Sequence, residues 1–123
     1  MRVIKFRIWD ETEGYYERDS SFWIYQSGKI DHDYKKQNDL VVEQYTGLKD
    51  KNGKEIYEGD IVSAEHETLD FRHKENRKTK KYNGIIHWNH SYWAIGEYKL
   101  FIMEDDSLEV LGNIHENPEL LKQ

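Results

Sequence analysis

The stretch Gln44–Val62 reads Q-Y-T-G-L-K-D-K-N-G-K-E-I-Y-E-G-D-I-V. Leu40–Leu48 is rich in β-formers and extended, and Thr46-Gly47 marks a bulge or a close backbone approach within it. Asp50-Lys51-Asn52-Gly53-Lys54 is a turn, because Asn and Gly tolerate the positive φ that tight hairpins require. Glu55–Tyr57 is a short return strand. Gly59-Asp60 is a corner, and Ile61–Ala64 is β again. Three strands within so few residues indicate a compact β unit.

The same alternation extends in both directions. In Val3–Trp9, Ile4, Phe6 and Ile8 fall on one face and Lys5, Arg7 and Trp9 on the other, the period-2 pattern of a half-buried strand. Asp10–Gly14 is a turn before Tyr15-Tyr16, and Phe22–Tyr25 is an aromatic run too short for a helix. Asp31–Asp39 reads as a surface loop. Gly84–Trp88 and Tyr92–Ile95 form a hairpin across Asn89-His90-Ser91. Tyr98–Met103 and Leu108–Leu111 are further short strands. Glu65–Asn83 is the longest polar stretch, a loop or the exposed end of a hairpin. Asn117-Pro118-Glu119 is a helix start, with a capping Asn, a preorganised Pro and an acid at the positive end. Only one turn follows, docking Leu120 and Leu121. Short strands at roughly 8–12 residue spacing indicate a sandwich or small barrel. The expected fold is mainly β, a single domain over residues 1–123.

Composition agrees. The 123 residues are only 37% hydrophobic, yet 14% are aromatic, with 4 Trp, 9 Tyr and 4 Phe. Each buried ring removes on the order of 150–250 Å² from water, so a few rings replace many aliphatics. Cysteine is absent, which excludes disulfides, thiolate metal sites and thiol nucleophiles. The N-terminus alternates charge with apolar residues and offers no signal-peptide core. No stretch approaches the roughly 20 apolar residues that span a bilayer. A cytoplasmic protein with no membrane partner is therefore expected. The net charge of −6 is uneven: Arg72–Lys81 holds six basic residues against the single acid Glu75.

Three segments, in order, resemble the YopX-like family of phage and prophage proteins. I-K-F-R-I-W-D at Ile4–Asp10 is similar to its N-terminal motif. Y-T-G-L-K-D-K-N-G-K-E-I-Y-E-G-D-I-V at Tyr45–Val62 is similar to its central signature, and L-G-N-I-H-E-N-P-E-L-L at Leu111–Leu121 to its C-terminal one. The resemblance implies an SH3-like barrel or roll of antiparallel hairpins with one short C-terminal helical turn, and a phage or prophage origin in a bacterial host cell. It implies no reaction, so no catalytic or cofactor-binding residues follow from it.

Candidate chemistry is sparse. His87-Trp88-Asn89-His90 has metal-chelating spacing, but on a strand residues three apart face opposite sides. Asp31-His32-Asp33, Glu104-Asp105-Asp106 and the group Glu55, Glu58, Asp60 supply carboxylates that mark turns and a corner. His87 and the loop carboxylates make up the expectation of a metal-assisted hydrolase, which ranks last, and a pair of the corner carboxylates is the candidate for acid/base work. Ser63 and Ser91 lie in no nucleophile elbow, and no phosphate-binding glycine loop occurs. No enzyme, metal or cofactor is expected.

The basic run supplies the one binding mechanism. Arg72, Lys74, Arg77, Lys78, Lys80 and Lys81, flanked by Phe71 and Tyr82, can neutralise phosphates and release counterions, or they can contact an acidic partner. Trp9 faces away from Ile4, Phe6 and Ile8, while Trp23, Tyr25, Trp88 and Trp93 add more rings than one face of a small barrel buries. Tyr and Trp are enriched in interface cores. The leading expectation is a protein-interaction module that self-associates and contacts a host or phage protein. A nucleic-acid accessory role through residues 72–81 is the alternative.

Overall fold

The computed structural model describes residues 4–17, 22–27, 30–32, 39–69, 77–100 and 107–121. Eleven strands are described: β1 Phe6–Asp10, β2 Tyr15–Tyr16, β3 Phe22–Ile24, β4 Ile30–His32, β5 Leu40–Lys49, β6 Glu55–Tyr57, β7 Asp60–Leu69, β8 Arg77–Asn89, β9 Tyr92–Ile95, β10 Tyr98–Lys99 and β11 Glu109–Asn113. A 3₁₀ turn, Pro118–Leu121, follows. All pairings are antiparallel: a four-stranded sheet β2-β1-β5-β6, a five-stranded sheet β10-β9-β8-β7-β11 and the hairpin β3–β4. The mainly β expectation holds: the antiparallel strands include one curled half-barrel, and a 3₁₀ turn ends the described chain.

The expected punctuation is present. Register shifts between Tyr45 and Lys49, where Gly47 has φ +89°, so Thr46-Gly47 is a bulge. In the polar stretch after Ala64, the described residues belong to a long hairpin, because β7 and β8 pair from Ile61↔Ile85 out to Leu69↔Arg77, and residues 70–76 lie outside the described ones. Of the expected strand Tyr98–Met103, Tyr98–Lys99 is β and Leu100 is not, and Phe101–Asp106 lie outside the described residues. Leu121 is 40% exposed rather than docked.

Ile56, Val62, Ala64, Ile86, Ile95, Leu100 and Leu108 form the main buried cluster, with Leu48, Tyr82, Trp93 and Val110 packed against it. Ile56 belongs to the first sheet and most of the rest to the second, so burial itself holds the sheets together. Both faces of β1 are packed towards its C-terminal end, where Ile8, Trp9 and Asp10 are all buried. Ile4 and Phe6 are 63% and 40% exposed, whereas Trp9 is buried and Arg7 half-buried. Ile8 alone of the aliphatic stripe is buried, against Leu40 and Val42.

A side chain completes the joint between the sheets. Asp50 Oδ1 accepts from the amides of Asn52 and Lys54, both at 2.9 Å, and Oδ2 accepts from Val110 N at 2.9 Å. Lys51 N donates to Leu108 O at 2.8 Å. The β5–β6 turn therefore occupies the outer edge of β11 in place of a further strand. Covering an edge in this way blunts pairing with other chains. Burial alone pushes the Asp50 carboxyl up, but the amides of Val110, Lys54 and Asn52 outweigh it and hold the group below its ordinary 3.8. That stabilisation is present above 3.8 and is lost as pH falls through the lowered folded value. Asp50→Ala is expected to cost about 2–3 kcal/mol near neutrality, with a deficit that shrinks in acid. Urea midpoints of both proteins at two pH values check this, and a pH-independent deficit contradicts it.

Candidate functional site

The residues of β1 that face inward begin the most highly connected polar cluster among the described residues. Register sets Arg7 opposite Glu43 and Trp9 opposite both Val41 and Tyr16. Arg7 Nε donates to Glu43 Oε1 at 2.8 Å, and its Nη2 donates to Asp60 Oδ1 at 2.8 Å and to Glu58 O at 3.2 Å. The guanidinium also lies over two rings, 4.5 Å from the centroid of Tyr16 and 4.8 Å from that of Tyr57. Such geometry needs the planar fork of arginine, which lysine lacks.

Glu43 gathers three donors. Besides Arg7, the Tyr16 hydroxyl donates to Oε1 at 2.8 Å and His115 Nε2 donates to Oε2 at 3.0 Å. The His115 ring stacks on Trp9 with centroids 4.6 Å apart and planes 9° from parallel, and Tyr16 meets Trp9 edge-on. His115 is held by its own turn, where Asn113 Oδ1 accepts from the amides of His115 and Glu116. Asn117 N closes that turn on Asn113 O.

The corner Glu58-Gly59-Asp60 carries the third wall. Asp60 Oδ2 accepts from Tyr57 N at 2.8 Å, which fixes the tight turn. Gly59 donates to Ile86 O and accepts from Ile114 N, so the corner also touches β8 and the C-terminal segment.

Electrostatics follow from burial. The side chains of Glu43 and Asp60 are each 3% exposed around a single guanidinium. Burial acts against the Arg7 charge, but Asp60 and Glu43 outweigh it and hold the group above its ordinary value. Burial pushes the Asp60 carboxyl up, with Arg7 and the Tyr57 amide opposing, and burial likewise raises Glu58. The Tyr16 phenol is pushed well up, first by burial and then by Glu43, against the pull of Arg7. Among the described residues no buried side-chain nitrogen or oxygen lacks a partner. A fully satisfied network of this kind rigidifies a fold. An open depression of about 600 Å³ borders it, lined by Gly14, Tyr15, Tyr16, Glu17 and Glu116.

The residues singled out from sequence lie elsewhere. Arg72 and Lys74 are outside the described residues. Arg77, Lys78 and Lys80 lie on β8, opposite Leu69, Thr68 and His66, and exposed Lys81 lies opposite Glu65. The second half of the basic run is thus strand rather than flexible loop. His87 Nε2 is within 2.8 Å of Gly96 O, and His90 is exposed in the turn with φ 55°. No trio of His, Cys, Asp or Glu able to hold a metal occurs among the described residues. Glu55 pairs with Lys5 at 2.8 Å, so the three corner acids have separate partners. Asp33 and Glu104–Asp106 are outside the described residues, and Asp31 and His32 lie on β4. Sequence reasoning missed Arg7, Tyr16, Glu43 and His115. One readable signal was Arg7 and Trp9 two apart on one strand, mirrored by Glu43 and Tyr45 on another.

The cluster draws on all three segments quoted above: Arg7 and Trp9 from the first, Tyr57 and Asp60 from the second, His115 from the third. No curated protein matches the chain. It is similar to a solved structure, that of protein EF1440 from Enterococcus faecalis, at 30% identity and a TM-score of 0.61 over 98% of this chain and 99% of that one. A family model described as YopX protein matches residues 5–122, and the chain belongs to the YopX family.

Proposed function

We propose that the protein is a non-enzymatic, phage- or prophage-derived interaction module that self-associates in the bacterial cytoplasm. One observation carries the reading: Trp88 is 49% exposed although register places it, with Trp93, on the core-facing side of β8–β9 next to Ile86 and Ile95. The two indoles meet edge-on at 5.1 Å. An apolar face that runs past its own core into solvent, ending in tryptophan, has the composition of an interface centre. The polar cluster supports the same reading from the other side, because its acids and Arg7 are engaged with one another rather than turned towards a substrate.

A protein contact is favoured over nucleic acid. Lys81 faces Glu65 across the ladder and both are exposed, so phosphate approaching there meets a carboxylate as well as a cation.

Light scattering on the eluting protein over a wide concentration range tests the proposal. A mass that rises with concentration is expected, and Trp88→Lys is expected to raise the dissociation constant about tenfold or more. Monomer mass throughout would overturn it.

A further inference from the structure

The chain contains two Asn-Gly dipeptides, Asn52-Gly53 and Asn83-Gly84. This pair of residues is the one most prone to intramolecular deamidation, because glycine puts no side chain in the way of its own backbone nitrogen. That nitrogen attacks the Asn side-chain carbonyl carbon. A new N–C bond forms, the C–NH₂ bond breaks, and ammonia leaves with the glycine amide proton. Water then opens the resulting succinimide at either carbonyl, giving aspartate or its β-linked isomer. By sequence alone the two sites are equivalent.

We propose that Asn52 is a site of spontaneous succinimide formation and that Asn83 is protected by the fold. The ring closes only if the glycine nitrogen can swing onto the Asn side chain. Asn52 and Gly53 are both exposed at the tip of the β5–β6 turn, and a side chain placed on Gly53 would meet nothing within 4 Å. Among the described residues the Asn52 carboxamide makes no hydrogen bond. One bond must open, from Gly53 N to Asp50 O at 3.0 Å, and it lies at an exposed turn, where opening is cheapest.

Asn83-Gly84 is held in the opposite condition. Both residues are extended within the β7–β8 ladder, facing Ser63 and Val62. Gly84 is buried, and a side chain there would meet Ile95 Cγ1 and Tyr82 Cε1 at 2.8 Å. Rotation of this peptide requires parting a central strand pair, a much deeper opening than fraying a turn.

The consequence reaches beyond the turn. The β-linked product adds a backbone carbon two residues after Asp50, the side chain that joins this turn to Val110 on β11. Modified molecules are therefore expected to unfold at lower urea.

Native protein incubated at mildly alkaline pH, then digested and mapped by mass, tests the proposal. Conversion at Asn52 is expected to exceed that at Asn83 about tenfold or more, each factor of ten being about 1.4 kcal/mol in barrier. In denaturant the two sites should converge, and Asn52→Gln should abolish conversion at the turn in the native state. Native rates at Asn52 no faster than at Asn83, or a gap that persists in denaturant, would overturn it.

Discussion

Gly59→Ala is expected to be among the most damaging single-methyl changes in the described fold, costing at least about 3 kcal/mol. Two independent effects add. Gly59 has φ +85°, a conformation that costs an L-residue with a side chain about 1–2 kcal/mol. The added carbon would also run into Glu43 Oε2. A clash with the far end of a glutamate is usually relieved by a small rotation. Here that carboxylate is held by Arg7, Tyr16 and His115 at once, so moving it disturbs the whole buried cluster. Gly47→Ala is the matched control: φ is +89°, yet nothing lies within 4 Å of the added carbon. Urea unfolding of the two variants should separate strain from collision. Equal losses would show that the Glu43 contact contributes nothing.

The fold was legible because its signals are local. The first strand, here Phe6–Asp10, the Asn52-Gly53 turn, the bulge at Thr46-Gly47 and the helical turn at Pro118–Leu121 each rest on a few adjacent residues and lie close to where the sequence places them, although the Asn117 side chain accepts from Asn113 N instead of capping that turn. Period 2 divides a strand into two faces without saying which is inward. On β1 the apolar stripe suggests Ile4-Phe6-Ile8, but Ile4 and Phe6 are exposed while Arg7 and Trp9 pack on the other face, because the Arg7 charge is neutralised by Glu43 and Asp60 and covered by the rings of Tyr16 and Tyr57. The candidate site was illegible for a related reason. Arg7 and Asp60 are 53 residues apart, and Glu43 and His115 are 72 apart. Nothing in the sequence around Asp50 predicts that it reaches Val110, 60 residues on. The basic run drew notice through its local density of charge, a property that specifies neither a partner nor a structure.

Arg7→Met is the second large effect, and it carries a pH signature that a merely packing role would not produce. Removal of the guanidinium leaves Glu43 and Asp60, each nearly sealed from solvent, without their shared cation. Breaking a buried pair by deleting one partner costs about 3–5 kcal/mol, because the remaining charge is uncompensated. Asp60 is already above its ordinary 3.8 through burial, with Arg7 opposing. Without Arg7 it must rise further. A carboxyl whose folded pKa exceeds the unfolded one binds its proton more tightly in the native state, so it penalises folding at neutral pH and the penalty is relieved as pH falls towards 3.8. The variant should therefore recover part of its deficit in mild acid, whereas the Asp50→Ala deficit shrinks there because the wild type itself weakens. The two can be told apart by absolute stability: Arg7→Met rises on acidification from neutrality, and the wild type falls relative to it. Asp60→Asn combined with Arg7→Met removes the buried charge and should recover stability at neutral pH. If the Arg7→Met deficit is the same at neutral and mildly acidic pH, and the second substitution restores nothing, the guanidinium acts as a spacer between rings and not as the counter-charge of the two carboxylates.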